Sequence, residues 1–322
     1  MVPCWNLYFL VVLAIWSCVL GAGIQHSSPP GIEESQALNA IRVINGVDVK
    51  DPSEYQFVAD LSLHRDLVSS TRYCTGTLIQ ADIVLTAAHC VLNHGEMGDG
   101  SFVTIGRLNL QDDHQSNSRS ETFRAVAGYV HPDYQGLGSI ADVALLLLDG
   151  SSSKKPVDLA TTSPETNSTA WIVGYGIQAV GTVEGSGQSI AVMPKTLQKT
   201  ALRIMDRGFC NDGGIETPKG MVCTAGIEGG ASACRGDSGG GLFLQDSDGD
   251  KKQIGIVSYG DASCMSDNGG VFTDVSAVHQ WIQEGIARLH QLPNTHQLLT
   301  LKKNSHDSLL PNYRSLGINS SI

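Results

Sequence analysis

The chain has no run of basic residues, no apolar stretch long enough to cross a bilayer, no evident internal repeat and no two cysteines at close spacing. Each absence removes a class of function. Against 21 lysines and arginines stand 32 acidic residues, a formal net charge of −11, and such a balance without a basic patch argues against nucleic-acid binding. The longest apolar run, Leu7 to Leu20, falls short of the about 20 residues a membrane span needs. The missing close cysteine pairs weigh against a zinc site. With no repeat, a solenoid or propeller is not expected.

What stands at the amino terminus instead is a signal-peptide pattern. Leu7 to Leu20 is followed by the small residues Gly21, Ala22 and Gly23, so residues 1–23 read as a signal peptide and the chain as secreted, an uncleaved anchor being the alternative. Met1 to Asn6 lacks the usual Lys or Arg, leaving the amino group as the only positive charge. Residues 24–42 hold paired prolines, acids and serines with little periodicity and read as a flexible pro-segment. Two glycosylation sequons, Asn167-Ser168-Thr169 and Asn319-Ser320-Ser321, are compatible with secretion. Cys4 and Cys18 would leave with the signal. The six that remain, Cys74, Cys90, Cys210, Cys223, Cys234 and Cys264, form an even set that in an exported chain implies disulfides, although sequence alone does not choose among their pairings.

At 322 residues, with 41% hydrophobic content and 36 glycines, the chain suits a strand-and-turn protein. Short β-rich runs recur from Phe57 to Leu148. The Ser/Lys/Pro-rich bridge Ser151 to Pro156 separates them from a second series between Trp171 and Asp274. Two antiparallel barrels follow from this layout. Val278, Trp281, Ile282, Ile286 and Leu289 share one helical face, predicting a C-terminal helix packed on the second barrel. Beyond it, 291–322 is polar and reads as a disordered extension. Gly176 to Gly187 reads as a long Gly-rich loop open to nicking.

The chemistry concentrates in three segments. Ala233-Cys-Arg-Gly-Asp-Ser-Gly-Gly240 displays Ser238 on a tight glycine turn, where the amides of Gly236 and Ser238 can point at one spot. A serine hydroxyl is a poor nucleophile alone and needs a base and an orienting acid. Thr86-Ala-Ala-His-Cys90 closes an apolar run with His89, and Asp142 precedes the apolar Val143 to Leu148, where a carboxylate is costly to bury without a hydrogen-bond partner. The order His, Asp, Ser and these motifs resemble the chymotrypsin-like (trypsin-fold) serine peptidase family, over roughly Val43 to His290.

The resemblance implies an all-β fold of two antiparallel six-stranded β-barrels with a C-terminal helix. The active site would lie in the cleft between barrel 1, about 43–155, and barrel 2, about 156–277, with the helix over about 278–290. It implies His89, Asp142 and Ser238 as catalytic residues, Gly236 and Ser238 as the oxyanion hole, and disulfides Cys74–Cys90, Cys210–Cys223 and Cys234–Cys264. Arg42-Val43-Ile44-Asn45-Gly46 resembles the zymogen-activation site. A cut after Arg42 would free an amino group on Val43 to pair with a buried Asp237.

The primary pocket is implied at Ser232, Ser258, Gly260 and Gly270, with Ser258 also placed to hold Asp142. No aspartate stands at position 232, so a neutral pocket for large apolar or aromatic residues is expected. Arg235 sits at its rim, and Gly241 replaces the family's proline. In the stretch matching a calcium loop, Gly106 to Glu121, Arg107 replaces the first carboxylate ligand. No metal or cofactor is expected, and a weak site would have only Asp112, Asp113 and Glu121. The implied function is a secreted, monomeric serine endopeptidase acting on proteins or peptides, made as a zymogen and activated by a separate trypsin-like protease. The alternatives are a non-catalytic homologue acting as a binding or inhibitory protein, and a carboxylester hydrolase, which the order of the three residues disfavours.

Overall fold

The computed structural model describes residues 46–64, 72–92, 101–110, 119–136, 138–177, 179–182, 189–210, 217–227, 232–260 and 268–292. Arg42, Val43, Cys264, Asn319, residues 1–45 and nearly all of 291–322 therefore lie outside the described residues. After β1 (Val47–Asp48), the strands β2 (Val58–Ser62), β3 (Arg72–Gln80) and β4 (Ile83–Thr86) lead into the short helix α1 (Ala88–Leu92). Strands β5 (Phe102–Ile105), β6 (Glu121–Val130) and β7 (Ala144–Leu148) then complete a closed antiparallel barrel in the order β2-β3-β4-β7-β6-β5, with β5 returning to pair with β2.

β8 (Asp158–Leu159) opens the second half, followed by β9 (Thr169–Gly174), the hairpin β10 (Ala179–Thr182) and β11 (Ser189–Val192), and β12 (Gln198–Met205). Strands β13 (Met221–Gly226), β14 (Gly241–Gln245), β15 (Lys251–Tyr259) and β16 (Asn268–Asp274) follow. These close a second antiparallel six-stranded ring, β12-β13-β16-β15-β14-β9, because β9 pairs with β12 as well as β14. Its interior is packed with Ile172, Leu202, Ile204, Val222, Leu242, Ile254 and Phe272. The apolar runs and turn signals of the sequence thus become two barrels. A strand over 221–226 and a hairpin that begins in the Gly-rich loop and ends beyond it were not foreseen.

Helix α2 (Val275–His290) follows β16 directly, capped by Asp274, whose carboxylate accepts the Ser276 amide at 2.8 Å. The expected helical face is present, and the helix packs on β15, β16 and β8 of the second half as expected. It also reaches the first barrel, for Val278, Ile282, Ile286 and Leu289 belong to a core cluster that draws on both barrels, including Val84 and Leu146 of the first and Phe243 and Ile256 of the second. Trp281 stacks on Tyr129 of β6 with centroids 5.0 Å apart, and a Cβ added at Gly285 would lie 2.7 Å from Leu145 of β7. The reason is the composition of β7. All five of its residues are buried, so one face fills the barrel and the other needs a cover, which α2 supplies.

Candidate active site

His89 follows β4 in α1, preceded by Ala87 and Ala88, which are fully buried and small enough to bring the helix onto the barrel. The Cys74–Cys90 disulfide fastens the next residue to β3. His89 Nδ1 lies 2.8 Å from Asp142 Oδ2, and the His89 amide donates to Asp142 Oδ1 at 3.0 Å. Asp142 is 0% exposed, and the Ser258 hydroxyl donates to its Oδ2 at 2.6 Å. Thr273 Oγ1 donates to the Asp142 carbonyl at 3.1 Å. A carboxylate with three donors is held in one orientation and is acceptor-only, so His89 carries its proton on Nδ1 and leaves Nε2 as the acceptor.

Ser238 is brought beside this pair by backbone contacts. The Thr75 amide donates to the Ser238 carbonyl at 2.8 Å, the Cys90 sulfur lies 3.5 Å from the same oxygen, and Thr75 Oγ1 donates to the Gly236 carbonyl at 2.8 Å. Gly239, at φ 77°, lies so close to the residues before His89 that a Cβ there would sit 2.1 Å from Thr86 Oγ1. Only glycine fits. Ser238 Oγ makes no hydrogen bond among the described residues, and catalytic hydrogen bonds of this kind commonly tighten only with substrate. Nor do the amides of Gly236 and Ser238 have an acceptor among the described residues. They are the two donors the glycine turn was expected to present.

Asp237 is 1% exposed. Its oxygens accept from the amides of Gly176, at 2.8 Å, and Cys234, at 3.0 Å, and it has no cation among the described residues. Burial, which these two bonds only partly offset, pushes its pKa up to about 6. The carboxylate occupies space vacated by two glycines: a Cβ at Gly174 or Gly176 would lie 2.1 or 2.2 Å from it.

At the expected pocket, Ser232 is buried and donates to the Ala233 carbonyl at 3.2 Å. Gly260 and Gly270 face one another, a Cβ on the former falling 3.6 Å from the Cα of the latter. Arg235 is exposed. Ser258 spends its hydroxyl on Asp142.

The Cys210–Cys223 disulfide joins the segment after β12 to β13, and Cys234 is disulfide-bonded while its expected partner Cys264 lies outside the described residues. Asn167 is exposed in a turn at φ 69°. Cys74, His89 and Cys90 cluster within 4.8 Å, but both sulfurs are in the disulfide and neither is a free thiolate ligand. In the stretch matching a calcium loop, Glu121 is taken up by Ser152 and Ser153, while Arg107 donates to the carbonyls of Asn109 and Leu110 at 3.3 and 2.8 Å. A guanidinium thus faces these carbonyls, and Asp112 and Asp113 lie outside the described residues. Sequence reasoning missed Thr75, Thr273, Gly174 and Gly176. The first three carry no local signature, whereas Gly176 was read only as the start of a loop.

The trypsin family model matches residues 43–282. A trypsin-like protease of Streptomyces glaucescens is 31% identical over 250 residues, covering 77% of this chain and 84% of that protein. A trypsin of Sarcophaga bullata is 29% identical over 287 residues, covering 86% of this chain and 98% of the other. The solved structure of neuropsin, a serine protease expressed in the limbic system of mouse brain, is 27% identical, aligns with a TM-score of 0.59 and covers 75% of this chain and 99% of its own. The chain belongs to the trypsin family of serine endopeptidases.

Proposed function

We propose that the protein is a secreted endopeptidase made as a zymogen, in which Ser238 is the nucleophile, His89 the general base and Asp142 the residue that orients it. The observation that carries this is the line Ser258, Asp142, His89, in which a fully buried carboxylate fixes the imidazole with Nδ1 as donor. Ser238 Oγ attacks the scissile carbonyl carbon as its proton passes to His89 Nε2, and the carbonyl oxygen becomes an oxyanion held by the amides of Gly236 and Ser238. The carbon–nitrogen bond then breaks while Nε2–H protonates the leaving amine. Water, deprotonated by the same nitrogen, hydrolyses the acyl-enzyme and regenerates Ser238.

Ser232 and the facing glycines Gly260 and Gly270 support a deep, uncharged primary pocket for Phe, Tyr, Leu or Met before the cut. The proposed processing removes residues 1–23 as signal and 24–42 as pro-segment, leaving the peptidase domain 43–290 and the extension 291–322. The freed Val43 amino group would enter the protein and pair with Asp237, whose buried carboxylate has no described cation. Ser238→Ala tests the assignment. It should fold normally and lose about 10⁶-fold in kcat on a peptide substrate, since triad members act as a unit. Turnover equal to that of the parent enzyme would contradict it.

A further inference from the structure

Tyr175 stands between the two glycines whose missing side chains admit the Asp237 carboxylate. It is 3% exposed, and its hydroxyl donates to the carbonyl of Arg107 at the end of the first barrel. That carbonyl belongs to a rigid stretch. The Gly106 amide bonds to Val58 of β2, Leu108 and Leu110 bond to the segment before β12, and the Arg107 guanidinium folds back on the carbonyls of Asn109 and Leu110. Its Nη1 lies 3.6 Å from Asp60, which is also buried, on β2.

On the other side, Gly176 donates to Asp237 and Ile177 donates to the Arg235 carbonyl at 2.9 Å. The segment 174–177 is thus a cradle for the loop 234–238. A Cβ on Gly236 would come within 3.0 Å of the Gly176 Cα, so backbone meets backbone without slack. Burial drives the Tyr175 phenol well above its ordinary pKa, and the hydroxyl stays a donor throughout the pH range in which a protease works.

We propose that Tyr175 is a positioning residue, whose hydroxyl bond to the Arg107 carbonyl ties the cradle 174–177 to the Asp60–Arg107 pair and thereby fixes the loop bearing Gly236, Asp237 and Ser238. The catalytic half of this proposal rests on the function proposed above. The ring fills the space and the hydroxyl sets the register of the cradle. Losing the hydroxyl alone should leave the protein folded and let the two oxyanion donors drift. A drift of this kind acts on the transition state more than on ground-state binding.

The experiment is Tyr175→Phe in the full, activated chain, read two ways. With a peptide substrate, kcat should fall about three- to tenfold, the equivalent of one hydrogen bond, with KM within about twofold. Hydrogen exchange should quicken in peptides covering 174–177 and 232–238 and stay unchanged in those covering 86–92. Arg107→Lys, which keeps a positive charge but not the two-carbonyl grip, should loosen the same segments if Tyr175→Phe fails to accumulate as folded protein. A drop in melting temperature with unchanged kcat would assign Tyr175 a structural role only and overturn the proposal, as would unchanged exchange in both segments. If the parent enzyme itself hydrolyses no peptide, the proposed function fails, while the exchange measurement still decides whether the tether exists.

Discussion

Asp237 is a buried carboxylate held by two amides, and its titration reports on the state of the chain. With the folded-state pKa raised to about 6 from 3.8, the native state keeps the proton longer than the unfolded state, so stability falls as pH rises from about 4 to about 6. Asp60, likewise raised by burial to about 6 despite the arginines beside it, adds to the same slope. Uncut Asp237→Asn should therefore gain stability relative to the uncut parent across this window and hold the gain above it. Urea unfolding at pH 4, 5, 6 and 7 measures the difference. In the cut form the Val43 amino group should depress the pKa and reverse the sign, making the variant the less stable protein at neutral pH. At Ser232 the prediction is specificity. An uncharged pocket leaves a Lys or Arg side chain uncompensated, so a peptide library should be cut after Phe, Tyr, Leu or Met. Dominant cleavage after Arg or Lys would show that Ser232 does not floor the pocket or that another acid, such as Asp261, reaches it. His89, Asp142 and Ser238 stand out in the sequence because the proposed chemistry demands those residue types in recognisable surroundings. Thr75 and Tyr175 do not, since each acts through backbone groups of residues distant in sequence.

The strands were legible where burial imposes a pattern. Val84 and Leu146, or Leu85 and Leu145, face one another across β4 and β7 as runs of aliphatic residues predict. The seat of α2 on the second barrel was legible too, but its reach onto β6 and β7 was not, because an apolar helical stripe says that a surface must be covered without saying how far that surface extends. The hairpin β10–β11 was hidden by the glycines around it, which read equally well as loop. The glycine cradle after β9 yields a prediction of its own. In Gly176→Ala the new Cβ would meet the Asp237 carboxylate between 2.2 and 2.7 Å, so either the cradle or the nucleophile's loop must shift. A displacement of about 1 Å can cost about a hundredfold in rate, so kcat should fall by that order, accompanied by a drop in melting temperature from the overpacking. Gly208→Ala, where a Cβ has no neighbour within 4 Å, is the control and should leave kcat unchanged.

In the proposed mechanism the two barrels contribute different halves of one reaction: His89 and Asp142 come from the first, and Ser238, Ser258 and the glycine turn from the second. The same division explains the proposed control. The proposed activation is a cut after Arg42, and the proposed neutral pocket floored by Ser232 should accept arginine poorly, so the proenzyme should be a bad substrate for its own mature form. Purified proenzyme should stay intact on prolonged incubation, and a trace of a trypsin-specific protease should produce activity together with a new amino terminus at Val43. Rapid, concentration-dependent self-processing at Arg42 would overturn this control. The most direct test of the whole account is labelling of the cut protein with an aryl phosphonate that reacts only with activated serines, followed by mass mapping of the adduct. One phosphonyl group per molecule on Ser238, absent in Ser238→Ala and in uncut protein, is the predicted result. A cut protein that acquires no adduct on Ser238 while hydrolysing peptides would contradict it.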